Sequence, residues 1–181
     1  MLINTRAAAW AALPLFVLLS GCASPDAGTS PVSSASPVSP APAPTPTFAD
    51  VTHGDSETAA MLYSYDATAH SAVLMPVIFM DGPAYCKAFH LKSSDSRCER
   101  EWVSQESHVK ATLPVSPSVK LLAANLETED RDCVGSIEKG GSCPVGVKKF
   151  QQIAKANKGD FLVHITVENG TVTRIAEEFR P

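Results

Sequence analysis

The chain is expected to fold as an α+β domain: a small antiparallel sheet or partly open barrel with two helices and a C-terminal β-hairpin. Three observations carry that expectation. Runs rich in β-branched and aromatic residues lie at both ends of the stretch from Asp50 to Pro181, with a helix-periodic segment, Val147 to Asn157, between them. Near the C-terminus Asn169-Gly170 separates two apolar runs, and this dipeptide tolerates the positive φ angles of a type I′ turn. The 132 residues from Asp50 onward suffice for one core and are too few to expect two.

Taken in order, Met61 to Tyr65 and Ala72 to Met80 read as strands joined by a loop at Asp66 to His70. Pro76 places its strand at an edge or a bulge, because proline cannot donate to a ladder. Asp81-Gly82-Pro83 opens a short helix, capped by Asp81 or Gly82, with Tyr85, Ala88 and Phe89 at helical spacing and an end near His90. Trp102-Val103 begins the next strand. Val109, Ala111, Leu113 and Val115 alternate with polar or small residues, Pro114 and Pro117 are expected to break that strand's end, and Val119 to Ala124 resumes as another. In the helix from Val147, the residues Val147, Phe150, Ile153 and Ala154 form one face, and Asn157-Lys158-Gly159 supplies the stop. Phe161, Val163, Ile165 and Val167 alternate cleanly in the first hairpin strand. Val172, Ile175 and Phe179 in the second do not, which predicts a bulge.

The N-terminus has a different character. Arg6 and the amine precede an uncharged apolar run, Ala7 to Leu19, that is too short for the roughly 20 residues of a membrane span. Leu19-Ser20-Gly21-Cys22 closes it with an apolar residue, two small residues and a cysteine, the pattern of a bacterial lipobox. Residues 1–21 therefore read as a lipoprotein signal peptide and Cys22 as the lipidated first residue of the mature chain. A diacylglyceryl group supplies the two chains that stable anchoring requires. Residues 22–49 are dominated by proline, serine, alanine and threonine, with Pro37, Pro40, Pro42, Pro44 and Pro46 nearly alternating. Such a segment has too little apolar surface to offset the entropy of ordering and reads as an extended stalk. An O-glycosylated linker and an SH3-type ligand are sharper alternatives. Residues 50–181 are the globular domain.

Four cysteines remain beyond Cys22: Cys86, Cys98, Cys133 and Cys143. An even number in an exported chain implies two disulfides. The favoured pairs are Cys86–Cys98 and Cys133–Cys143, each closing a polar loop of about ten residues and contributing roughly 2–3 kcal/mol. Neither pair has the Cys-x2-4-Cys spacing of a structural zinc site, and no Cys-x-x-Cys marks a redox centre.

Charge and motifs exclude several functions. From Asp50 the domain carries 14 Lys and Arg against 18 Asp and Glu, with no basic stripe of the kind nucleic acids or lipid headgroups select. There is no Gly-x-Ser-x-Gly elbow, no His-Glu-x-x-His and no phosphate-cradling glycine loop. The histidines His53, His70, His90, His108 and His164 are dispersed, with His164 opposite the apolar face of its strand. The acidic run Glu127 to Asp132 reads as a solvated loop, with calcium binding the sharper alternative, though it lacks the ligand alternation of an EF-hand. Asn169-Gly170-Thr171 matches a glycosylation sequon but reads as a turn. Glu177 and Glu178, adjacent on a strand, point to opposite faces and do not make an acid/base pair on their own.

Met80-Asp81-Gly82-Pro83-Ala84, Thr112-Leu113-Pro114-Val115-Ser116-Pro117, and Val167 to Ile175 running into Glu177-Glu178-Phe179 and a terminal proline together span most of Tyr63 to Pro181. In these stretches the chain resembles a family of secreted proteins and lipoproteins common in actinobacteria. The resemblance implies a host and an envelope location and no mechanism; many of those relatives lack the two cysteine pairs. In a monoderm host the anchor site is the outer leaflet of the cytoplasmic membrane, and in a diderm host Ala23 at +2 favours the outer membrane. The expectation is an extracytoplasmic lipoprotein, held to the membrane by its lipid, whose domain binds a protein, a cell-wall polymer or a small ligand without catalysis or cofactor. The terminal hairpin bears a weak fold-level analogy to inhibitor-like or PepSY-type modules. The competing reading is an envelope hydrolase or metal-dependent enzyme whose site assembles from dispersed residues such as His90 and His108.

Overall fold

The computed structural model describes residues 44–125, 133–157 and 159–179. Residues 1–21, read above as a signal peptide, Cys22, most of the proline-rich segment and the acidic run 127–132 lie outside the described residues. The elements are β1 (Ser56–Asp66), β2 (Ser71–Met80), α1 (Gly82–Ala88), β3 (Val103–Glu106), β4 (Ala111–Ala123), β5 (Cys143–Pro144), α2 (Val147–Ala156), β6 (Leu162–Glu168) and β7 (Thr171–Glu177).

Five strands close on themselves. β2 pairs with β1, β1 with β6, β6 with β7, β7 with β4, and β4 returns to β2. The α+β class and the C-terminal hairpin are as expected, but the barrel is closed rather than partly open. It is also not wholly antiparallel, because the β4–β7 seam is parallel. Closure removes the exposed edges that an open sheet must protect. Among the barrel strands in chain order, the third lies between the second and the fifth, and the helix α2 falls between the third and the fourth. This is the strand order of five-stranded Greek-key barrels of the OB type, and on fold alone it assigns no function.

The interior is lined by alternate residues: Ala60 and Leu62 from β1, Ala72 and Leu74 from β2, Leu113, Val115 and Leu121 from β4, Val163, Ile165 and Val167 from β6, and Val172 and Ile175 from β7. α2 closes one end by inserting Phe150, which is fully buried with Tyr65 edge-on at 5.9 Å and Phe161 at 5.6 Å. Val147, expected on the same face, is instead 40% exposed at the first position of the helix.

The prolines behave differently from expectation. Pro76 is neither at an edge nor in a bulge. On one side β2 pairs with β4 through Leu74 and with β3 from Val77 onward, and Pro76 sits at the handover. Its carbonyl accepts from Ser107 N at 3.1 Å, so its missing N–H faces the same corner, where no ladder partner is needed. Pro114 and Pro117 do not end their strand. Pro114 pairs with Ser71, and Pro117 falls where β4 advances five positions, from Val115 to Lys120, while β7 advances two, from Val172 to Arg174. Ser116 Oγ, bonded to Ser118 N at 3.2 Å, holds that excursion, and Val119 to Ala123 continues the same strand. Val109 lies outside the strand and is 68% exposed. β1 begins at Ser56, earlier than its apolar pattern indicates, because Ser56 to Thr58 pair with β6.

The hairpin turn has φ of 50° at Asn169 and 73° at Gly170, as a type I′ turn requires, and the expected bulge lies in β7, where Val172 and Arg174 face the consecutive Val167 and Thr166 and Thr173 is the extra residue. A second bulge lies in β1, between Leu62 and Ser64. It turns Leu62 and Tyr65 both towards the core and leaves Tyr63 and Ser64 together on the outside.

Candidate functional site

The cysteines meet as the loop lengths suggest. Cys86 bonds to Cys98 and Cys133 to Cys143. The first loop holds α1, which Asp81 caps by accepting from Ala84 N at 2.7 Å. Tyr85 of that helix is buried, stacks on Phe89 and donates its hydroxyl to Gln105 of β3 at 2.7 Å. The second loop lies against the β6–β7 wall. Arg174 Nη2 donates to the carbonyls of Lys139 and Gly141, and Gly141 N donates to Glu177 O at 2.7 Å.

Three of the five histidines have a backbone explanation. His70, His90 and His108 have φ of 48°, 53° and 60°, in the left-handed region where histidine, like asparagine, is enriched. His70 ends the β1–β2 loop, His90 follows α1, and His108 turns the chain between β3 and β4. His90 lines a shallow recess beside Cys86 and Cys98, whereas His108 has Glu106 as its neighbour at 4.0 Å. His53 bonds to Asp50, whose carboxyl is held below its ordinary range first by the Thr52 hydroxyl and then by Thr52 N and His53. Among the described residues no group of three or more His, Cys, Asp or Glu is placed to hold a metal ion.

His164 and Glu178 are brought together although nothing in their spacing announces it. His164 Nε2 lies 3.2 Å from Glu178 Oε2, and both residues are buried on the outer face of the barrel. Glu177 turns the other way and accepts from Ala124 N at 3.0 Å. Burial holds the imidazole of His164 below its ordinary pKa, and the charge of Arg174 adds to this; Ile137 of the second loop, Glu57 and Glu138 oppose it.

A groove with mixed chemistry lies beside the β1 bulge. It encloses about 400 Å³ between β1 and α2 and is lined by Tyr63, Ser64, Tyr65, Gln151, Lys155 and Gly159, together with two apolar neighbours. Tyr63 is 37% exposed, with Lys110 Nζ 3.6 Å from its ring centroid. Burial raises the pKa of Tyr65, so its phenol stays a donor. A smaller, largely apolar pocket of about 270 Å³ lies at the Pro76 corner between the β3–β4 turn and the segment Phe48–Thr52. None of the groove residues is conspicuous in the sequence as a ligand contact. The available signal is the broken alternation in Leu62-Tyr63-Ser64-Tyr65, which places two apolar-facing residues three apart in a strand and so requires a bulge.

No family model, no curated protein and no solved structure matches this chain.

Proposed function

We propose that this protein is a membrane-anchored lipoprotein of the bacterial cell envelope, held through Cys22, whose barrel is a non-catalytic binding module displayed outside the membrane. In a monoderm host the anchor lies in the outer leaflet of the cytoplasmic membrane, and in a diderm host in the outer membrane. Support for the location comes from the Leu19 to Cys22 pattern, the proline-rich stalk and the two disulfides, which persist in oxidising compartments. The binding reading rests chiefly on how the ionisable side chains are used. Three histidines serve turns and a fourth is buried against Glu178, while the mixed groove beside the bulge presents aromatic, amide and hydroxyl groups.

Two measurements test it. Mass analysis of the mature protein is expected to find diacylglyceryl on an N-terminal Cys22, and Cys22→Ser to accumulate as unmodified precursor; normal processing of that variant would refute the anchor. A photo-crosslinking side chain at Ser64 is expected to give adducts in living cells that the same group at exposed Val134 does not. Equal labelling at both positions would refute the groove as the binding surface.

A further inference from the structure

The bulge gives the groove a specific composition. It carries Tyr63 outward beside Ser64, with its hydroxyl donating to Met75 Sδ of β2 at 3.9 Å and a lysine ammonium against one face of its ring. Across the groove, α2 presents Gln151 and Lys155 one turn apart, so both lie on the same face of the helix. The groove therefore offers an aromatic plane, a hydroxyl, a planar amide and an ammonium. Among the described residues no carboxylate lines it, although Asp and Glu outnumber Lys and Arg by 19 to 15 in the chain. Asp66, the acid adjoining Tyr65, is turned into its own loop, accepting from Thr68 N at 2.8 Å and Ala69 N at 2.9 Å. The volume falls within the roughly 300–1,000 Å³ typical of small-ligand sites.

Resting on the binding-module reading, we infer that this groove takes a short glycan carrying carboxylate groups. Tyr63 packs against the apolar face of a sugar ring, Ser64 and Gln151 bond to its hydroxyls, and Lys155 pairs with the carboxylate. Lys110 is a positioning residue that holds the Tyr63 ring. An acidic glycan gains an ion pair with Lys155 that a neutral one forgoes, and a nucleic acid would meet a domain of net negative charge.

The test uses the mature lipidated protein in detergent micelles and isothermal titration with three probes. These are an oligogalacturonate tetrasaccharide, an N-acetylglucosamine–N-acetylmuramic acid disaccharide and neutral chitotetraose. At least one acidic probe is expected to bind at least tenfold more tightly than chitotetraose, and the acidic probe that binds identifies the carboxylate as a uronate or a lactyl group. Tyr63→Ala should weaken that binding about tenfold, Tyr63→Phe should restore it, and Lys155→Gln should abolish the preference for the acidic probe. Equal binding of acidic and neutral probes, no binding of any probe, or binding insensitive to both Tyr63→Ala and Lys155→Gln would overturn the inference. Adducts at Ser64 in cells that prove to be protein alone would overturn the glycan and leave the binding module standing.

Discussion

The two disulfide loops are nearly equal in length, spanning 12 and 10 residues, yet they serve different parts of the molecule. The first is bonded largely to itself. Asp95 N donates to Lys92 O, Cys98 N to Asp95 O, and Arg97 forks onto the Asp95 carboxylate at 2.8 and 2.9 Å. Its contact with the sheet runs through α1 and β3, and β3 pairs only with the end of β2. The second loop is bonded to the barrel wall through Arg174 and Glu177 and covers the buried His164. The same covalent constraint therefore holds a peripheral annex in one case and seals a face of the core in the other. Loop-closure entropy depends on length and is nearly equal for the two, so any difference in their stabilisation reports what each loop is docked on.

The largest expected contrast lies in the disulfides themselves. Replacing both Cys133 and Cys143 by serine should lower global stability by about 3 kcal/mol. Replacing Cys86 and Cys98 should leave the denaturant midpoint closer to the wild type and instead speed amide exchange from Tyr85 to Leu91, because an annex opens before the barrel does. Urea titration with hydrogen exchange separates the two, and equal losses in global stability would erase the distinction.

Glycines offer a second contrast. A Cβ at Gly141 would lie 2.4 Å from the backbone of Ala123 in β4, and one at Gly82 would lie 2.4 Å from the carbonyls of Arg97 and Arg100. The clashes are alike and their settings are not. Gly141→Ala should cost about 2–3 kcal/mol of global stability, whereas Gly82→Ala should act mainly by detaching α1. Thermal unfolding alongside exchange at Tyr85 would show whether the costs divide in this way.

Two smaller effects sharpen the comparison. Asp81→Ala removes the cap of α1 and should cost about 1 kcal/mol, confined to the annex and visible as faster exchange in that helix. On the sealed side, His164 has a pKa depressed below the unfolded value of about 6.5. The unfolded chain then binds the proton more readily, so this stabilisation is complete above pH 6.5 and is lost as pH falls through the interval between the two values. His164→Gln should flatten that part of the stability–pH curve, and an unchanged slope would remove His164 as its source.

Local chemistry made much of the fold legible. The Asn169-Gly170 turn, the stop after α2 and the Asp81 cap each depend on a few adjacent residues, and the structure realises all three. Pro76 departs from its expected edge or bulge because a missing N–H matters only where a partner strand stands opposite, and the handover from β4 to β3 leaves that position open. Pro114 and Pro117 stay within one strand for a related reason: β7 tolerates a three-residue excursion in β4. The groove has no local signature because its two walls, β1 and α2, lie more than 80 residues apart in the chain.

The sequence by itself determined the α+β class, the terminal hairpin, the two helices and two cysteine loops short enough to close on themselves. Each of these rests on periodicity, capping or turn chemistry that acts over a few residues. Only the tertiary structure decided that the sheet closes, that β4 and β7 run parallel, and that His164 meets Glu178 beneath the second loop. It likewise decided that Tyr63, Ser64 and Tyr65 line a groove together with Gln151 and Lys155 of α2. Those outcomes depend on which strands find one another across long separations, where the energies of many pairings compete and no short pattern records the winner.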